Sequence, residues 1–137
     1  MIFLTRELPT SRQHNNQINW DTSRECLLEY GKLVAGQNTG QGIAYNMVAG
    51  KDINVRYRTG NEQIKLGGHH HTLKNIFQEN GIPPCFRDLI PLIYIDHTLV
   101  EITGLCIDED FMAKTGEKSL LISWDRAKEV YAMKYII

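Results

Sequence analysis

A short helix is marked at both ends near the middle of this sequence. Thr72 is a preferred N-cap residue, and an apolar stripe at i, i+3 and i+4 follows it, formed by Leu73, Ile76 and Phe77. Gly81 stands where a left-handed residue ends a helix, and a proline pair at residues 83–84 prevents its continuation. The fold must therefore accommodate one helix of about two turns among segments of a different kind.

Those other segments are short and strand-like, and turn residues separate them. They cover residues 26–30, 32–35, 43–48, 92–95, 99–107 and 120–124. Strands of this length and spacing predict an α+β fold, a small, mostly antiparallel β-sheet or sandwich with a short packed helix. A second helix is predicted from Asp125 to Tyr135, with one side formed by Ala127, Val130, Tyr131 and Lys134.

The predicted domain boundary lies near residue 25. Residues 1–24 are polar and lack periodicity, which predicts a linker or N-terminal arm. Residues 25–137 are predicted to form the folded domain, and a length of 137 residues suits one domain. Residues 25–50 are either a separate β subregion or one side of the same sheet.

A hairpin is predicted between residues 53 and 66. Apolar and polar residues alternate on both sides of the turn at residues 59–62. A two-residue turn at residues 60–61 would set Tyr57 opposite Ile64. In that register one face is apolar, and the other face carries three cations, Arg56, Arg58 and Lys65.

Positive charge is concentrated in the middle of the chain, although the net charge is −1. Residues 51–91 carry six basic and four acidic side chains, together with three histidines. The three cysteines are widely spaced and form no C-x-x-C pair, which argues against a zinc knuckle or a disulfide framework and favours a reducing cytoplasm. The apolar stretch near the N-terminus is too short for a membrane span, so no membrane partner is expected.

Residues 66–94, LGGHHHTLKNIFQENGIPPCFRDLIPLIY, resemble the C-terminal domain of tRNA(Ile)-lysidine synthetases. The resemblance covers residues 52–108 and reaches back more weakly to about residue 25. The matching positions are Gly67, Gly68, Leu73, Lys74, Phe77, Gly81, Ile82, Pro83, Pro84, Arg87, Asp88, Pro91 and Leu92. One departure is local: this family usually has an aromatic residue after the second proline, whereas this chain has Cys85 and then Phe86.

The resemblance implies a β-sandwich that grips the acceptor stem of the isoleucine tRNA. It also implies that the whole enzyme uses ATP, with Mg²⁺, to adenylate the wobble cytidine before lysine displaces AMP. An N-terminal catalytic domain with an SGGxDS phosphate loop performs that step, and this string does not occur here. The fragment is therefore expected to have no cofactor of its own and to be inactive alone, with tRNA and the catalytic domain as its partners.

Two groups of residues are candidates for RNA binding. The cations Arg56, Arg58 and Lys65 could meet a phosphate backbone, or they could form a solvated face neutralised by Glu62 or Asp88. The second group is a predicted anion site where a glycine turn leads into the helix, and it consists of Gly67, Gly68, His69, His71 and Lys74. The alternative for this group is that the glycines only turn the chain.

Arg87 and Asp88 follow the rigid proline pair. Arg87 is predicted to contact phosphate or ribose, with Asp88 orienting it, and the alternative is a local ion pair that fixes the loop. Two other functions stay open. One is a metal site in which His69 and His71 are joined by Cys85 or His97. The other is a subunit-interaction module, with a second copy of the chain as partner.

Overall fold

Three short helices and eleven strands form the part of the chain that the computed structural model describes, residues 17–126. The strands are β1 (Ile18–Asn19), β2 (Cys26–Leu28), β3 (Gly31–Thr39), β4 (Ile43–Ala44), β5 (Ile53–Arg56), β6 (Gln63–Leu66), β7 (His69–Thr72), β8 (Leu92–Ile95), β9 (Thr98–Ile102), β10 (Cys106–Ile107) and β11 (Lys118–Arg126). The helices are α1 (Tyr45–Val48), α2 (Leu73–Glu79) and α3 (Pro84–Arg87). Every strand pair is antiparallel, so the predicted α+β fold is confirmed.

The central layer is a five-stranded sheet in the order β1-β5-β8-β9-β10. All four residues of β8 are buried, because both faces of this sheet are covered. Ile93 and Ile95 point to one hydrophobic cluster, whereas Leu92 and Tyr94 point to the other. Because apolar side chains of β8 point to both faces, the five-stranded sheet is a middle layer.

A second sheet, in the order β2-β3-β11-β4, covers one face of the central sheet. The longest strand pairing in this sheet joins β3 to β11 over nine residue pairs, from Thr39–Lys118 to Gly31–Arg126. The core between the sheets contains Leu33, Ile43, Ile53, Val55, Ile93, Val100, Leu120 and Ile122. This is the sandwich part of the fold.

The helices α2 and α3 and the hairpin β6–β7 cover the opposite face of the central sheet. Their shared core contains Ile64, Leu73, Ile76, Phe77, Phe86, Leu92, Tyr94 and Ile102. Burying a side chain such as Phe77 fully stabilises the fold by about 2–3 kcal/mol. The domain therefore has three layers.

The predicted helix is confirmed in its type and in both ends. The Thr72 Oγ1 accepts a hydrogen bond from the N–H of Asn75 at 3.2 Å, as an N-cap does. Gly81 follows with φ +68°, the left-handed conformation that ends a helix. The family's aromatic position is also explained, since the Phe86 ring is fully buried and Cys85 is exposed.

The predicted hairpin is wrong in its pairing, although both of its strands exist. β5 pairs with β1 and β8, and β6 pairs with β7, so Ile64 lies opposite His71 rather than Tyr57. The intervening loop has its own structure, because the Glu62 carboxylate accepts hydrogen bonds from the N–H groups of Thr59 and Gly60. Lys65 is consequently on a different sheet from Arg56.

Three further segments differ from the predicted strands and helix. Residues 45–48 are helical, because β4 ends at Ala44 and α1 follows directly. The predicted strand over residues 99–107 is interrupted by a turn that makes β9 and β10 antiparallel neighbours. Asp125 and Arg126 continue β11, so the predicted second helix does not begin at Asp125. The rest of that helix lies outside the described residues.

Residues on both sides of the predicted domain boundary belong to the sandwich. The predicted arm is described only from residue 17. Ile18 and Asn19 pair with β5, and Trp20 is buried in the core between the sheets. Residues 25–50 supply three strands of the second sheet, whose fourth strand is β11.

Glu101 is a buried carboxyl group inside this sandwich. It lies in β9, next to a register shift between Ile93 and Tyr94, and only 6% of the residue is exposed. Its Oε1 has no hydrogen-bond partner within the described residues. Burial raises the pKa of Glu101 to about 8, because the interior disfavours the charged form.

Candidate nucleic-acid interface

Arg58 is held by an acidic side chain from a distant part of the sequence. Its Nε donates to the Asp88 Oδ1 at 2.7 Å, and the two groups form an ion pair. Asp88 is the first residue after α3, so this contact joins the segment after β5 to the end of that helix. Asp88 was one of the two residues proposed to neutralise the cationic face, and it does pair with Arg58. An exposed ion pair of this kind contributes only about 0–1 kcal/mol to stability.

Lys65 and the glycine turn face an acidic loop. The Lys65 Nζ lies 3.3 Å from Asp110 and 3.8 Å from Glu109, and its hydrogen bond with Asp110 raises the pKa of Lys65. The N–H of Gly68 donates to both carboxylate oxygens of Glu109, at 3.0 and 3.1 Å. The anion bound at this turn is thus a carboxylate of the protein itself.

The glycine pair does not lead into the helix as predicted. Gly67 and Gly68, with φ +60° and +81°, make the two-residue turn of the β6–β7 hairpin. The strand β7 lies between this turn and α2, so the turn is separated from the helix N-terminus by four residues. The predicted single anion site therefore divides into a turn that Glu109 occupies and a helix start that Thr72 caps.

The histidines and Lys74 lie along that hairpin and helix. His69 is exposed, whereas His71 is half-buried with its Nε2 3.1 Å from the carbonyl of Leu66. Lys74 is exposed in the first turn of α2. Within residues 17–126, no group of three histidine, cysteine or acidic side chains is placed to hold a metal ion, so the alternative of a metal site on the histidines finds no support there.

Within residues 17–126, Arg56 contacts an amide, an aromatic ring and an imidazole, and it forms no ion pair with a carboxylate. Its Nε donates to the Asn54 Oδ1 at 2.7 Å, its guanidinium carbon lies 4.1 Å from the centre of the Tyr94 ring, and its Nη2 lies 3.5 Å from the His97 Nδ1. Neither Asn54 nor Tyr94 is among the residues predicted from the sequence to form the site. A lone asparagine in an apolar strand could have drawn attention to Asn54. Tyr94, which lies opposite Asn54, is identified only by the register of β5 with β8.

Arg87 is anchored to the backbone rather than to its neighbour. Its Nε donates to the carbonyl of Ile82 at 2.9 Å, and its guanidinium lies 5.8 Å from the centre of the Phe77 ring. Asp88 binds Arg58 instead, so the predicted orientation of Arg87 by Asp88, and the alternative local ion pair between them, are both wrong.

We call Arg56, Arg58 and Arg87 the anchored arginines, because the Nε of each is bound internally. A guanidinium has five N–H donors, so this anchoring leaves its terminal nitrogens to face a ligand. Arg58 is paired with Asp88, the residue that follows Arg87 in the sequence, and Arg56 precedes Arg58 by two residues. Such forks bind phosphate oxygens in pairs. The anchored arginines are therefore the candidate phosphate contacts, whereas Lys65 is paired with the acidic loop.

The architecture matches a solved domain of known type. The crystal structure of a TilS C-terminal domain superimposes with a TM-score of 0.62, over 80% of this chain and 95% of that chain. The two sequences are 19% identical, so this likeness defines the fold class. The chain has the fold of a TilS C-terminal domain.

Sequence comparison identifies the family. The family described as TilS substrate C-terminal domain matches residues 53–124. The tRNA(Ile)-lysidine synthase of Coxiella burnetii is 41% identical over 104 residues, which is 73% of this chain and 23% of that protein. The tRNA(Ile)-lysidine synthase of Nitrosomonas europaea is 27% identical over 109 residues, or 77% and 24% of the two chains. This chain belongs to the TilS C-terminal domain family.

The chain spans about a quarter of the length of these two curated relatives. The resemblance noted over residues 52–108 is therefore confirmed as one to the C-terminal part of a longer protein. Within residues 17–126, no helix is long and apolar enough to cross a membrane.

Proposed function

We propose that this chain is the tRNA-gripping C-terminal part of a tRNA(Ile)-lysidine synthetase. It holds the acceptor stem of the isoleucine tRNA, while an N-terminal domain outside this chain converts the wobble cytidine to lysidine with ATP and lysine. Family membership supports this proposal, since the relatives in Coxiella and Nitrosomonas are both tRNA(Ile)-lysidine synthases. Because the SGGxDS string is absent from this sequence, ATP and Mg²⁺ are assigned to the other domain, and the isolated chain is expected to have no ligase activity.

The anchored arginines are the observation that carries the proposal for binding. Each guanidinium is fixed at Nε before any ligand arrives, so less side-chain entropy is lost when phosphate binds. Arginine is preferred over lysine where phosphate oxygens are recognised in pairs. Arg56, Arg58 and Arg87 are therefore proposed as the principal contacts.

The remaining predicted contacts fall into two groups. His69 and Lys74 are exposed and carry no ion pair within the described residues, so they are proposed as secondary contacts. Lys65, Gly68 and His71 have internal partners, and Gly67 shares the turn of Gly68. This second group is proposed to lie at the edge of the interface, because an RNA phosphate there would meet the carboxylates of the acidic loop.

Recognition is proposed to depend on the shape of the RNA. An A-form acceptor stem hides its major groove and presents phosphates, 2′-hydroxyl groups and a shallow minor groove. Few cations are available for contact, so the affinity of the isolated chain should be modest and should fall with added salt. We also propose a cytoplasmic location without a membrane partner. The catalytic domain is the proposed partner within the same enzyme, and a second copy of the chain stays a predicted partner.

Charge reversal at two of the anchored arginines tests the proposal. Fluorescence anisotropy would measure binding of the isoleucine tRNA, the methionine tRNA and an acceptor-stem minihelix to the wild-type chain and to the double variant R56E/R58E. Each arginine removed from a phosphate should reduce the slope of log K against log salt by about one. The control is K114E, which reverses one positive charge, half the change in the double variant, at an exposed site between β10 and β11.

We expect the minihelix to bind nearly as well as the whole isoleucine tRNA, because the stem is the proposed ligand. We expect the double variant to lose most of that affinity and K114E to keep it. Equal losses of binding free energy per reversed charge in the double variant and in K114E would show a diffuse charge effect rather than a binding site. Binding that ignores salt would refute the proposal.

A further inference from the structure

Arg56 differs from the other cations of the interface in the charge of its partners. Arg58 and Lys65 both lie within 4 Å of a carboxylate, whereas Arg56 makes no ion pair with any residue in 17–126. Its partners are an amide, an aromatic ring and an imidazole, contributed by Asn54, Tyr94 and His97. The guanidinium is thus held in place without being neutralised.

Asn54 is a polar residue at a buried strand position, where an apolar residue is more common. It is 2% exposed in the middle of β5, and its Nδ2 donates to the carbonyl of Asp96 at 3.2 Å. This bond fixes the orientation of the amide, so that its Oδ1 faces the Arg56 Nε. A buried amide is tolerated only when it is bonded, and here one of its two bonds is made to Arg56.

Glu62 is an acidic residue near the Tyr94 ring, but it forms no ion pair with Arg56. Burial first, and then the Glu62 carboxylate, raise the pKa of Tyr94, so this carboxylate lies close to the ring. Its oxygens already accept hydrogen bonds from Thr59 and from the N–H of Gly60. It therefore binds the backbone and side chain of its own loop and does not pair with Arg56.

We propose that Asn54 is a positioning residue, which presets the Arg56 guanidinium on the Tyr94 ring as the contact for one phosphate of the RNA backbone. The inference rests on the proposed function and deepens it. Since Nε is bound to Asn54, the phosphate meets the two terminal nitrogens end-on and displaces the long contact to His97. Lysine at position 56 would keep the charge but could not be oriented in this way.

A double-mutant cycle between positions 54 and 56 tests the positioning role. Binding of the acceptor-stem minihelix would be measured for the wild-type chain, N54V, R56K and N54V/R56K. We expect N54V and R56K each to weaken binding by roughly three- to tenfold, as for one lost hydrogen bond, and the double variant to be no weaker than either. The salt slope should change little in all three, because the positive charge stays.

The variant R56Q provides the contrast, since it removes the charge and should reduce the salt slope by about one. If N54V does not fold, R56K decides alone, because position 56 is half-buried at the end of β5 and lysine is readily accommodated there. An R56K chain that binds like wild type would overturn the proposal. Losses that simply add in the double variant would overturn it as well.

A measurement without RNA separates this inference from the proposed function. The ¹⁵N–¹H signal of the Arg56 Nε, identified by its absence in R56K, would be followed while inorganic phosphate is added. We expect it to shift in the wild-type chain and not in N54V, where the Nε has lost its partner. If RNA binding fails but the signal shifts, only the proposed function is refuted. If RNA binds and the signal does not move, only this inference is refuted.

Discussion

The buried carboxyl group of Glu101 should make the stability of this domain fall as the pH rises through the neutral range. In the folded chain its pKa is about 8, against an ordinary value of 4.5, because burial disfavours the charged form. Between these two values the folded state retains a proton that the unfolded state has lost. Stability linked to Glu101 is therefore greatest below pH 4.5 and decreases until about pH 8.

The magnitude follows from the shift. Each pH unit within this window costs about 1.4 kcal/mol per proton, so the penalty is near zero at pH 4 and about 3 kcal/mol at pH 7. The variant E101Q has nearly the same shape and cannot ionise. Its amide introduces a fixed cost of about 1–3 kcal/mol if its N–H groups are unpaired, but that cost does not depend on pH.

Urea unfolding at pH 4, 5.5, 7 and 8.5 would measure the effect. The difference in unfolding free energy between E101Q and wild type should shift in favour of E101Q by about 3 kcal/mol from pH 4 to pH 7. The variant E79Q changes an exposed carboxylate of α2 in the same way and should show a much smaller shift. A difference that stays constant over this range for E101Q would refute the argument that this carboxyl group is protonated in the fold.

Two other substitutions test the local structure. G42A should destabilise the domain by roughly 3 kcal/mol or more in thermal or urea unfolding, because the added Cβ would collide with the carbonyl of Leu120 and φ is +109°. An equal loss in G50A, where φ is +74° but nothing lies within 4 Å, would show that the collision contributes nothing. T72A should lower the free energy of unfolding by about 1 kcal/mol, because the N-cap of α2 is lost. T72S keeps the hydroxyl and should recover most of that loss. Equal stability of the two variants would disprove the capping role.

The helix and the fold class could be predicted because their signals are local. Thr72, the apolar stripe and Gly81 lie within ten residues of one another, and each has the conformation that its residue type favours. Most strands were likewise readable from residue type, although β1 and β7 were not predicted and residues 45–48 are helical. Strand partners were not, because alternation identifies the faces of a strand but not its neighbour.

The hairpin error has a specific physical cause. Two consecutive residues with positive φ make the tightest hairpin turn, and glycines at positions 67 and 68 supply them. This pair therefore turns β6 back onto β7, whereas the loop before β6 is held by Glu62. Asp88 was among the alternatives named for neutralising the cationic face, whereas the partner of Lys65 was beyond local reasoning, since Asp110 lies 45 residues away.

The position of β11 also determines when the domain can assemble. It lies between β3 and β4, so neither of those strands has its main partner until residues 118–126 have been synthesised. A nascent chain shorter than this lacks Leu120 and Ile122, which share a core with Val55 and Ile93 of the central layer. Pairing across so many residues is slow, because a long loop must close first. Aggregation therefore competes with folding at the step in which β11 completes the second sheet, rather than at the formation of the helix.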